Sequence, residues 1–182
     1  MNATMTRLSL LGALVDAAQD AGLAVHAGAA WPAGDGDTLP ALAGFVESTF
    51  SPLVAEVAAR CLAVAGRASA DAPDRTALVL LSPLGDVTTA SHLARAVDRG
   101  ERVGPLLFFQ SVPNAVAGHV AARWGLRGPV VCLSADARGV REAALLIADG
   151  DADSALVIVA EQGPADRAAA VLVAPVTEGD PE

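Results

Sequence analysis

The chain has 182 residues, of which 53% are hydrophobic, 18% charged and only 3% aromatic, and its formal net charge is −9. A chain of this length can bury roughly 70% of the surface that its unfolded form exposes, which excludes a linker or a disulfide-dependent mini-protein and favours one domain with an aliphatic core. The negative charge and the lack of a basic stripe argue against nucleic-acid binding, because that binding depends on clustered Lys and Arg.

The cysteines and the amino-terminal segment indicate the compartment. Cys61 and Cys132 are far apart and share no metal-binding spacing, so we expect no disulfide framework, no metal and no cofactor. This cysteine usage is typical of a protein in the reducing cytoplasm. The apolar run 8–15 ends at Asp16 after about eight residues, whereas a membrane span needs about 20. We therefore interpret that run as a buried strand or first core element, and we expect no membrane contact.

The next patterns predict a loop and a helix. Residues 24–40 are rich in Gly, Ala and Pro and lack periodicity, which predicts a loop. Ser51 as N-cap and Pro52 as the first helical residue predict a helix that ends at Gly66. Cys61 falls on the apolar face of this helix, so we expect it to be a small core residue.

A strand and a second helix are predicted after this first helix. The continuous apolar run 77–81 is typical of a strand that is covered on both faces. The second helix ends at Gly100, and residues 101–113 are interpreted as an irregular, partly apolar connection. The apolar side of the second helix consists of Leu93, Ala94 and Val97.

Two more helices enclose a further strand. Asn114 is the predicted N-cap of a helix that runs to Trp124 and is closed by Gly125. The apolar run 130–133 predicts another buried strand, and a last helix then extends to Gly150. The apolar side of this last helix consists of Val140, Ala143, Ala144 and Ile147.

The carboxy-terminal part predicts paired strands and a tail. The apolar runs 155–160 and 168–174 predict two strands that reverse direction at the turn between them. Residues 177–182 are acidic, which predicts a solvated, flexible tail. The alternation of strands and helices predicts one α/β domain over residues 1–176.

General catalytic signatures are absent from the sequence. It contains no phosphate-binding loop, zinc-protease motif or nucleophile elbow. His26, His92 and His119 are separated by tens of residues and have no carboxylate at ligand spacing, which argues against a metal site.

One pair of segments carries more specific information. Residues 111–128 (SVPNAVAGHVAARWGLRG) are followed by Pro129 and an apolar strand, and residues 146–153 (LIADGDAD) are followed by ALVIVAE. These blocks resemble the amino-terminal half of the β-ketoacyl synthases, the condensing enzymes of fatty-acid and polyketide synthesis. The resemblance implies an α/β fold that forms a single thiolase-like half, with a mixed sheet covered by helices.

Several residues of the resembling region have two interpretations. Gly118 in a helix interior predicts close backbone packing against a neighbour, and Gly125 and Gly128 predict positions where φ is positive. Asn114 and His119 are either pocket or dimer contacts, or an N-cap and a polar group on a helix surface. The interface or pocket candidates are Phe108, Phe109, Gln110, Asn114, Gly118, His119, Cys132 and Ala137.

The chain departs from the ketosynthase pattern where the nucleophile belongs. In that family a nucleophilic Cys stands nine residues after the Gly that corresponds to Gly128, and Ala137 occupies this position. The spacing from Gly128 to Gly150 is 22 residues, about four fewer than the family pattern, or roughly one helical turn. The family places two catalytic histidines in a carboxy-terminal half that this sequence does not reach. No residue is therefore assigned as catalytic.

The resemblance and these departures together predict a function by association. We expect a non-catalytic, ketosynthase-like accessory subunit of polyketide or fatty-acid biosynthesis, related to chain-length factors. A half fold leaves an apolar face or strand edge that needs a cover, so a homodimer or a heterodimer with a ketosynthase is expected. An acyl carrier protein is the other expected partner.

Two alternatives remain open at the level of sequence. An acyl-transfer or thioester-processing enzyme would use Cys132, Ser134 or Asp136 with His119 in a rebuilt pocket. Against it, Cys132 lies inside an apolar strand, where burial raises the pKa of a thiol and suppresses its reactivity. The other alternative is a module that binds an acyl chain without a partner protein.

Overall fold

The computed structural model describes residues 3–45, 47–67 and 75–176, and within them five strands form one sheet between two layers of helices. The strands are β1 (Leu23–Trp31), β2 (Thr76–Leu81), β3 (Val130–Leu133), β4 (Ser154–Glu161) and β5 (Arg167–Pro175). The helices are α1 (Ala3–Asp20), α2 (Phe50–Val64), α3 (Val87–Asp98), α4 (Pro105–Gln110), α5 (Pro113–Trp124) and α6 (Val140–Ala148), with a 3₁₀ turn at Ala137–Gly139 before α6. The predicted tail, residues 177–182, lies outside the described residues.

The sheet is mixed, with the strand order β1-β5-β4-β2-β3. β2 is parallel to both β3 and β4, and helices connect these strands as parallel pairing requires. β5 returns antiparallel to β4 and also pairs antiparallel with β1. The predicted α/β class with a mixed, helix-covered sheet is confirmed, as are the strands at 77–81, 155–160 and 168–174.

Two apolar cores form because side chains of successive strand residues point to opposite faces of the sheet. On β4, Leu156 and Ile158 face the layer of α2 and α5, which also buries Cys61 as predicted. Val157 and Val159 face the layer of α1 and α6. The runs predicted as covered on both faces are continuous and apolar because each of these strands contributes side chains to both cores.

Two amino-terminal segments differ from the predictions in secondary structure, although the run 8–15 is a first core element and residues 32–40 contain no strand or helix, as predicted. The run 8–15 is not a strand but part of α1, which does contribute Leu14 as a first core element. The predicted loop 24–40 instead contains β1, which pairs with β5 over almost its whole length. The small residues that made this segment look like a loop let a helix approach closely: a Cβ added to Gly28 would lie 3.2 Å from Leu11 Cδ1. Tertiary pairing therefore overrides weak β propensity.

The starts of two helices also differ from the predictions. α2 begins at Phe50, its N-cap is Thr49, and Ser51 is a buried residue inside the first turn. α5 begins at Pro113 with Val112 as N-cap, which leaves Asn114 within the first turn and not at the cap. In α5 the proline marks the helix start, because its fixed φ suits the first helical position. The closure of α5 by Gly125, with φ of 66°, is confirmed.

Three predictions about burial and order are corrected in the middle of the chain. The segment 101–113 is not irregular throughout, since it contains α4. β3 lies at the edge of the sheet, so Val130 is exposed where a buried strand was predicted. On α3, Val97 points to solvent and the buried residues are Thr89 and Ala96. These errors share one cause, because α3, α4 and β3 lie away from the covered centre of the sheet.

Candidate functional site

A cavity of about 460 Å³ opens where β2 and β3 end and α5 begins. Its polar lining consists of Ser82, Asp86, Ser111, Asn114, Cys132 and Ser134. Its apolar lining includes Leu80, Leu84, Ala90, Val112 and Leu133. The carboxyl ends of parallel strands are the usual place for a ligand crevice in α/β sheets, so this cavity is the candidate functional site.

Hydrogen bonds hold the two strand ends together at the cavity. The Ser82 backbone N–H donates to the Leu133 carbonyl at 3.0 Å, and the Ser134 hydroxyl donates to the Pro83 carbonyl at 2.8 Å. The Gly85 N–H donates to Ser82 Oγ at 3.0 Å. The hydroxyl of Ser134 therefore already donates a hydrogen bond to the backbone that forms the rim of the cavity.

Cys132 forms part of the cavity wall and is half-buried. Burial raises the pKa of the Cys132 thiol to about 11 and, deeper in the core, that of Cys61 to about 12. Desolvation disfavours the charged thiolate, so both groups are neutral thiols near pH 7. A neutral thiol is a poor nucleophile, and the geometry supports the low reactivity that the sequence indicated for Cys132.

Slow alkylation of the native protein is the expected result of these raised pKa values. At pH 7.5 iodoacetamide should modify Cys132 much more slowly than a free cysteine, with a rate that rises toward pH 11, and Cys61 only after unfolding. The pKa values of both thiols are higher in the folded chain than in the unfolded chain. The contribution of the two thiols to the free energy of unfolding is therefore complete below about pH 8.5 and is lost as the pH rises toward 11 and 12. Intact-mass spectrometry of native and urea-unfolded protein measures the labelling. Rapid native labelling of Cys132 at neutral pH would contradict this prediction.

A buried carboxylate beside the cavity was not identified from the sequence. Asp86 is 5% exposed and is the N-cap of α3, where its Oδ1 accepts the Thr89 backbone N–H at 2.9 Å. The same Oδ1 accepts the Ser48 hydroxyl at 2.7 Å, and Oδ2 accepts the Thr89 hydroxyl at 2.8 Å. The position of Asp86 directly before a helix was an available N-cap signal. Its contact with Ser48, 38 positions earlier, is tertiary.

Replacing Asp86 should loosen α3 and the chain before α2 together. We expect Asp86→Ala to lower the free energy of unfolding by about 2 kcal/mol, because it removes an N-cap and the hydroxyl bonds to a charged group. Asp98→Ala is the matched control, since Asp98 is exposed at the carboxyl end of α3, where a negative charge does not favour the helix dipole. Urea unfolding followed by circular dichroism measures both. Equal effects of the two substitutions would refute the role of Asp86.

The proposed nucleophiles and base are not brought together. Cys132 and Ser134 line the cavity at the strand ends, whereas His119 lines a second cavity of about 340 Å³ between α2, α5 and the loop near residue 42. There the His119 ring packs edge-to-face on Phe45, with ring centroids 5.8 Å apart. In the part of the chain that the structure describes, the predicted base His119 therefore does not share a cavity with Cys132 or Ser134, as the predicted covalent catalysis would require.

The remaining candidates before α6 form a polar turn. Asp136 is exposed and accepts hydrogen bonds from Arg138, whose guanidinium is 2.9 Å from Asp136 Oδ2. This pairing lowers the pKa of Asp136, chiefly through the side-chain hydrogen bond, so Asp136 is a carboxylate at neutral pH. Ala137, which the resemblance predicts at the position of the family's thiol, begins the 3₁₀ turn that leads into α6.

The other candidates divide between surface and core. Phe108 and Phe109 on α4 are 68% and 61% exposed, and Gln110 is buried. The close packing predicted for Gly118 is wrong, because a Cβ there would meet nothing within 4 Å. Gly128 does not have the predicted positive φ, but a Cβ there would lie 2.5 Å from the Ala77 backbone nitrogen. The glycine that permits a close approach is thus Gly128.

The described residues contain neither a metal-binding cluster nor a membrane-spanning helix. No group of three or more His, Cys, Asp or Glu side chains in the described ranges could hold a metal ion. Among the helices in those ranges, none combines the length and hydropathy that crossing a bilayer requires.

The mixed sheet between two helix layers defines a thiolase-like α/β fold of the ketosynthase type. Residues 30–169, more than half of the chain, match the family model for the N-terminal domain of beta-ketoacyl synthases. The chain belongs to this family. No curated protein matches the sequence significantly.

Solved structures support the same fold. One is a ketosynthase in complex with its chain length factor from Xenorhabdus doucetiae, with 19% identity, TM-score 0.63, and coverage of 80% of this chain and 68% of that one. The ishigamide ketosynthase/chain length factor gives 20% identity, TM-score 0.64, and coverage of 80% and 49%. A type II polyketide synthase acyl-carrier protein in complex with its ketosynthase gives 16% identity, TM-score 0.57, and coverage of 70% and 46%. The chain thus spans about half the length of the latter two relatives.

Proposed function

We propose that this protein is a non-catalytic, ketosynthase-like accessory subunit of cytoplasmic polyketide or fatty-acid biosynthesis. The observation that carries the proposal is Ala137, which stands where the family pattern has its nucleophilic thiol. The nearest other thiol along the chain, Cys132, is a half-buried cavity residue with a raised pKa and shares no cavity with His119. A domain of this family without a placed nucleophile acts through its surfaces.

An exposed apolar surface supports the proposal. We call it the α4 patch, and it consists of Leu106, Phe108, Phe109 and Val112. Val112 also lines the candidate cavity, so the patch is continuous with it. Aromatic side chains concentrated on a surface are typical of protein interfaces.

The free edges of the sheet indicate where a partner would associate with it. β1 and β3 are the two edge strands of the described sheet. The pairing of β1 with β5 shifts register between Val25 and Ala27, and an irregularity of this kind hinders further strand pairing. No register shift interrupts the pairing of β3 with β2, from Val130 to Leu133. A partner is therefore expected on the β3 side of the sheet.

The complexes of the structural relatives suggest the class of partner. They pair a ketosynthase with a chain length factor or with an acyl-carrier protein. We propose that this chain associates with a ketosynthase subunit, an acyl carrier protein or both, as a dimer.

Loss of association through the α4 patch is the expected result that tests this proposal. The tagged full chain, co-expressed with a ketosynthase and an acyl carrier protein, should retain one of them on purification. The double substitution Phe108→Ser and Phe109→Ser should reduce the recovered partner at least tenfold, or about 1.4 kcal/mol. Val64→Ser is the control, since Val64 is 67% exposed on α2. Native mass spectrometry gives the stoichiometry, and a monomer that recovers neither partner would contradict the proposal.

The cavity favours a second candidate function, the binding or transfer of an acyl chain. Its apolar wall would hold the chain. In the transfer version the Cys132 thiol would attack the carrier thioester, so that a new thioester forms on Cys132 Sγ and the carrier leaves as a thiol with the proton from Cys132. Incubation with acyl carrier thioesters followed by intact-mass measurement tests it. A stable acyl adduct that disappears in Cys132→Ala would replace the accessory proposal with an enzymatic one.

A further inference from the structure

The cavity that His119 lines is separate from the candidate site at the strand ends. We call it the α2–α5 cavity; it has a volume of about 340 Å³, and residues 40–43 form one of its walls. We propose that this cavity binds a small aromatic carboxylate, whose flat ring lies against Trp124 and whose carboxylate contacts Arg123 and His119. The inference does not depend on the proposed function, because the two cavities lie at opposite ends of α5.

Small side chains on two walls leave the space inside the α2–α5 cavity. Ala55 and Ala59 lie one turn apart on α2, so their methyl groups point to the same side of that helix. Ala41 and Ala43 line the loop wall, and Trp124 at the end of α5 provides a large flat apolar surface. The volume of about 340 Å³ falls within the range of roughly 300 to 1,000 Å³ that small-molecule pockets occupy. The cavity can therefore hold a small organic molecule with a flat apolar body.

Two nitrogen-bearing side chains of α5 supply hydrogen-bond donors to the cavity. His119 and Arg123 are four residues apart, so they lie on the same face of the helix, and both line the cavity. A guanidinium binds a carboxylate through parallel N–H bonds, and it has more donors than one carboxylate uses. Arg123 can therefore hold a ligand in addition to a partner within the chain. The α5 wall favours a ligand that ends in a carboxylate.

The carboxylate of Glu56 on the α2 wall is held by a neighbouring arginine. Glu56 Oε1 accepts a hydrogen bond from Arg60 Nε at 2.7 Å, and the same guanidinium donates to Asp37 at 2.7 and 3.0 Å. These bonds, foremost those to Asp37, raise the pKa of Arg60 further above neutral pH. Arg60 thus offsets part of the negative charge of Glu56. A ligand with an ammonium group would have to compete with Arg60 for Glu56, which favours a ligand with a carboxylate.

The loop wall of the cavity is fixed at both of its ends. At one end the Asp37 carboxylate accepts the Ala33 backbone N–H at 2.8 Å as well as the bonds from Arg60. At the other end the ring of Phe45 packs edge-to-face on His119, which also fixes the imidazole beside the cavity. The cavity is therefore formed before a ligand binds, and a preformed pocket loses less free energy to ordering on binding.

Two other cavities do not favour an anionic ligand. The lining of the cavity at the strand ends includes Asp86, and that of a cavity of about 230 Å³ beside the turn between β4 and β5 includes Glu161. Among the described residues that line these two cavities, none is basic. The charges of the linings therefore select the α2–α5 cavity as the site for an aromatic carboxylate.

Calorimetric titration of the full chain with 2-naphthoate, in the absence of any partner protein, tests the site. We expect a dissociation constant of about 1 mM or lower. Arg123→Gln should weaken binding about tenfold or more, because it removes charge-assisted hydrogen bonds. Arg127→Gln is the matched control, since Arg127 is exposed and lies outside the lining. No measurable binding to the wild-type protein, or equal effects of the two substitutions, would overturn the inference.

Filling the cavity is a second test that leaves its charges unchanged. Ala59→Leu places a larger side chain in the cavity and should abolish the binding of 2-naphthoate. Ala63→Leu, one turn later at an exposed position of α2, should leave binding unchanged. Circular dichroism shows whether the variants are folded, and if Ala59→Leu is not, the two arginine substitutions decide. Unchanged binding in folded Ala59→Leu would overturn the inference.

Two analogues test the chemical class of the ligand. Naphthalen-2-ylmethanamine carries an ammonium group in place of the carboxylate, and octanoate carries a carboxylate without a ring. Both should bind about tenfold more weakly than 2-naphthoate, or worse. Tighter binding of the amine would assign recognition to Glu56 and overturn the proposed carboxylate, and equal binding of octanoate would overturn the aromatic body. These titrations contain no partner protein, so a failure of the proposed accessory function does not affect them.

Discussion

Gly128→Ala is expected to lower the free energy of unfolding by about 3 kcal/mol or more, although it adds a single methyl group. The new Cβ would lie 2.5 Å from the Ala77 nitrogen and 2.6 Å from the Thr76 carbonyl carbon, both backbone atoms of β2. The Gly128 N–H also donates to the Thr76 carbonyl at 3.0 Å, so the loop cannot retreat without losing this bond. Urea unfolding monitored by circular dichroism measures the change.

Gly118→Ala provides the matched control within the same motif. Gly118 is an exposed residue inside α5 where a Cβ meets nothing within 4 Å, so alanine should raise the free energy of unfolding by about 1 kcal/mol through helix propensity. Opposite signs for the two Gly→Ala substitutions are the expected outcome. Destabilisation by Gly118→Ala would contradict the open space that the structure shows at this position.

Leu156→Ala is expected to lower the free energy of unfolding by about 3 kcal/mol. Leu156 is completely buried on β4, a central strand of the sheet, and packs in the core under α2 and α5. The substitution leaves a cavity between two rigid layers that cannot collapse to fill it. Thermal and urea unfolding should give the same decrease.

Leu145→Ala is the control for this second prediction. Leu145 lies on α6 and is 57% exposed, so its truncation should change the free energy of unfolding by less than about 0.5 kcal/mol. A loss at position 156 no larger than that at position 145 would contradict the assignment of β4 to the centre of the fold.

The elements that sequence patterns predicted correctly are those whose environment is uniform along their length. β2 and β4 are continuous apolar runs in the sequence because helices cover both faces of the sheet at these strands. β1 has no such pattern, since its small residues reflect contact with α1 and pairing with β5. A strand that forms because of distant partners leaves little local signal.

The features of the candidate site also fall into two groups, those that the sequence predicted and those that only the tertiary structure shows. The sequence indicated that Cys132 lies in a strand with little reactivity, and the raised pKa of its thiol agrees. It did not reveal that Asp86 binds Ser48, or that His119 and Cys132 line different cavities. These features depend on how α2, α3 and α5 are placed around the sheet, which residue spacing does not encode.

The amino-acid sequence alone determined that a chain of 182 residues with an aliphatic composition forms an α/β domain of ketosynthase type, and it predicts that Ala137 replaces the nucleophile of the family. Both conclusions depend on residue identity and order along the chain. Only the tertiary structure decided that Gly128, and not Gly118, permits a close backbone approach, and that α1 closes the sheet while α4 remains exposed. Those properties arise from strand register and helix placement, which bring together residues that are distant in sequence.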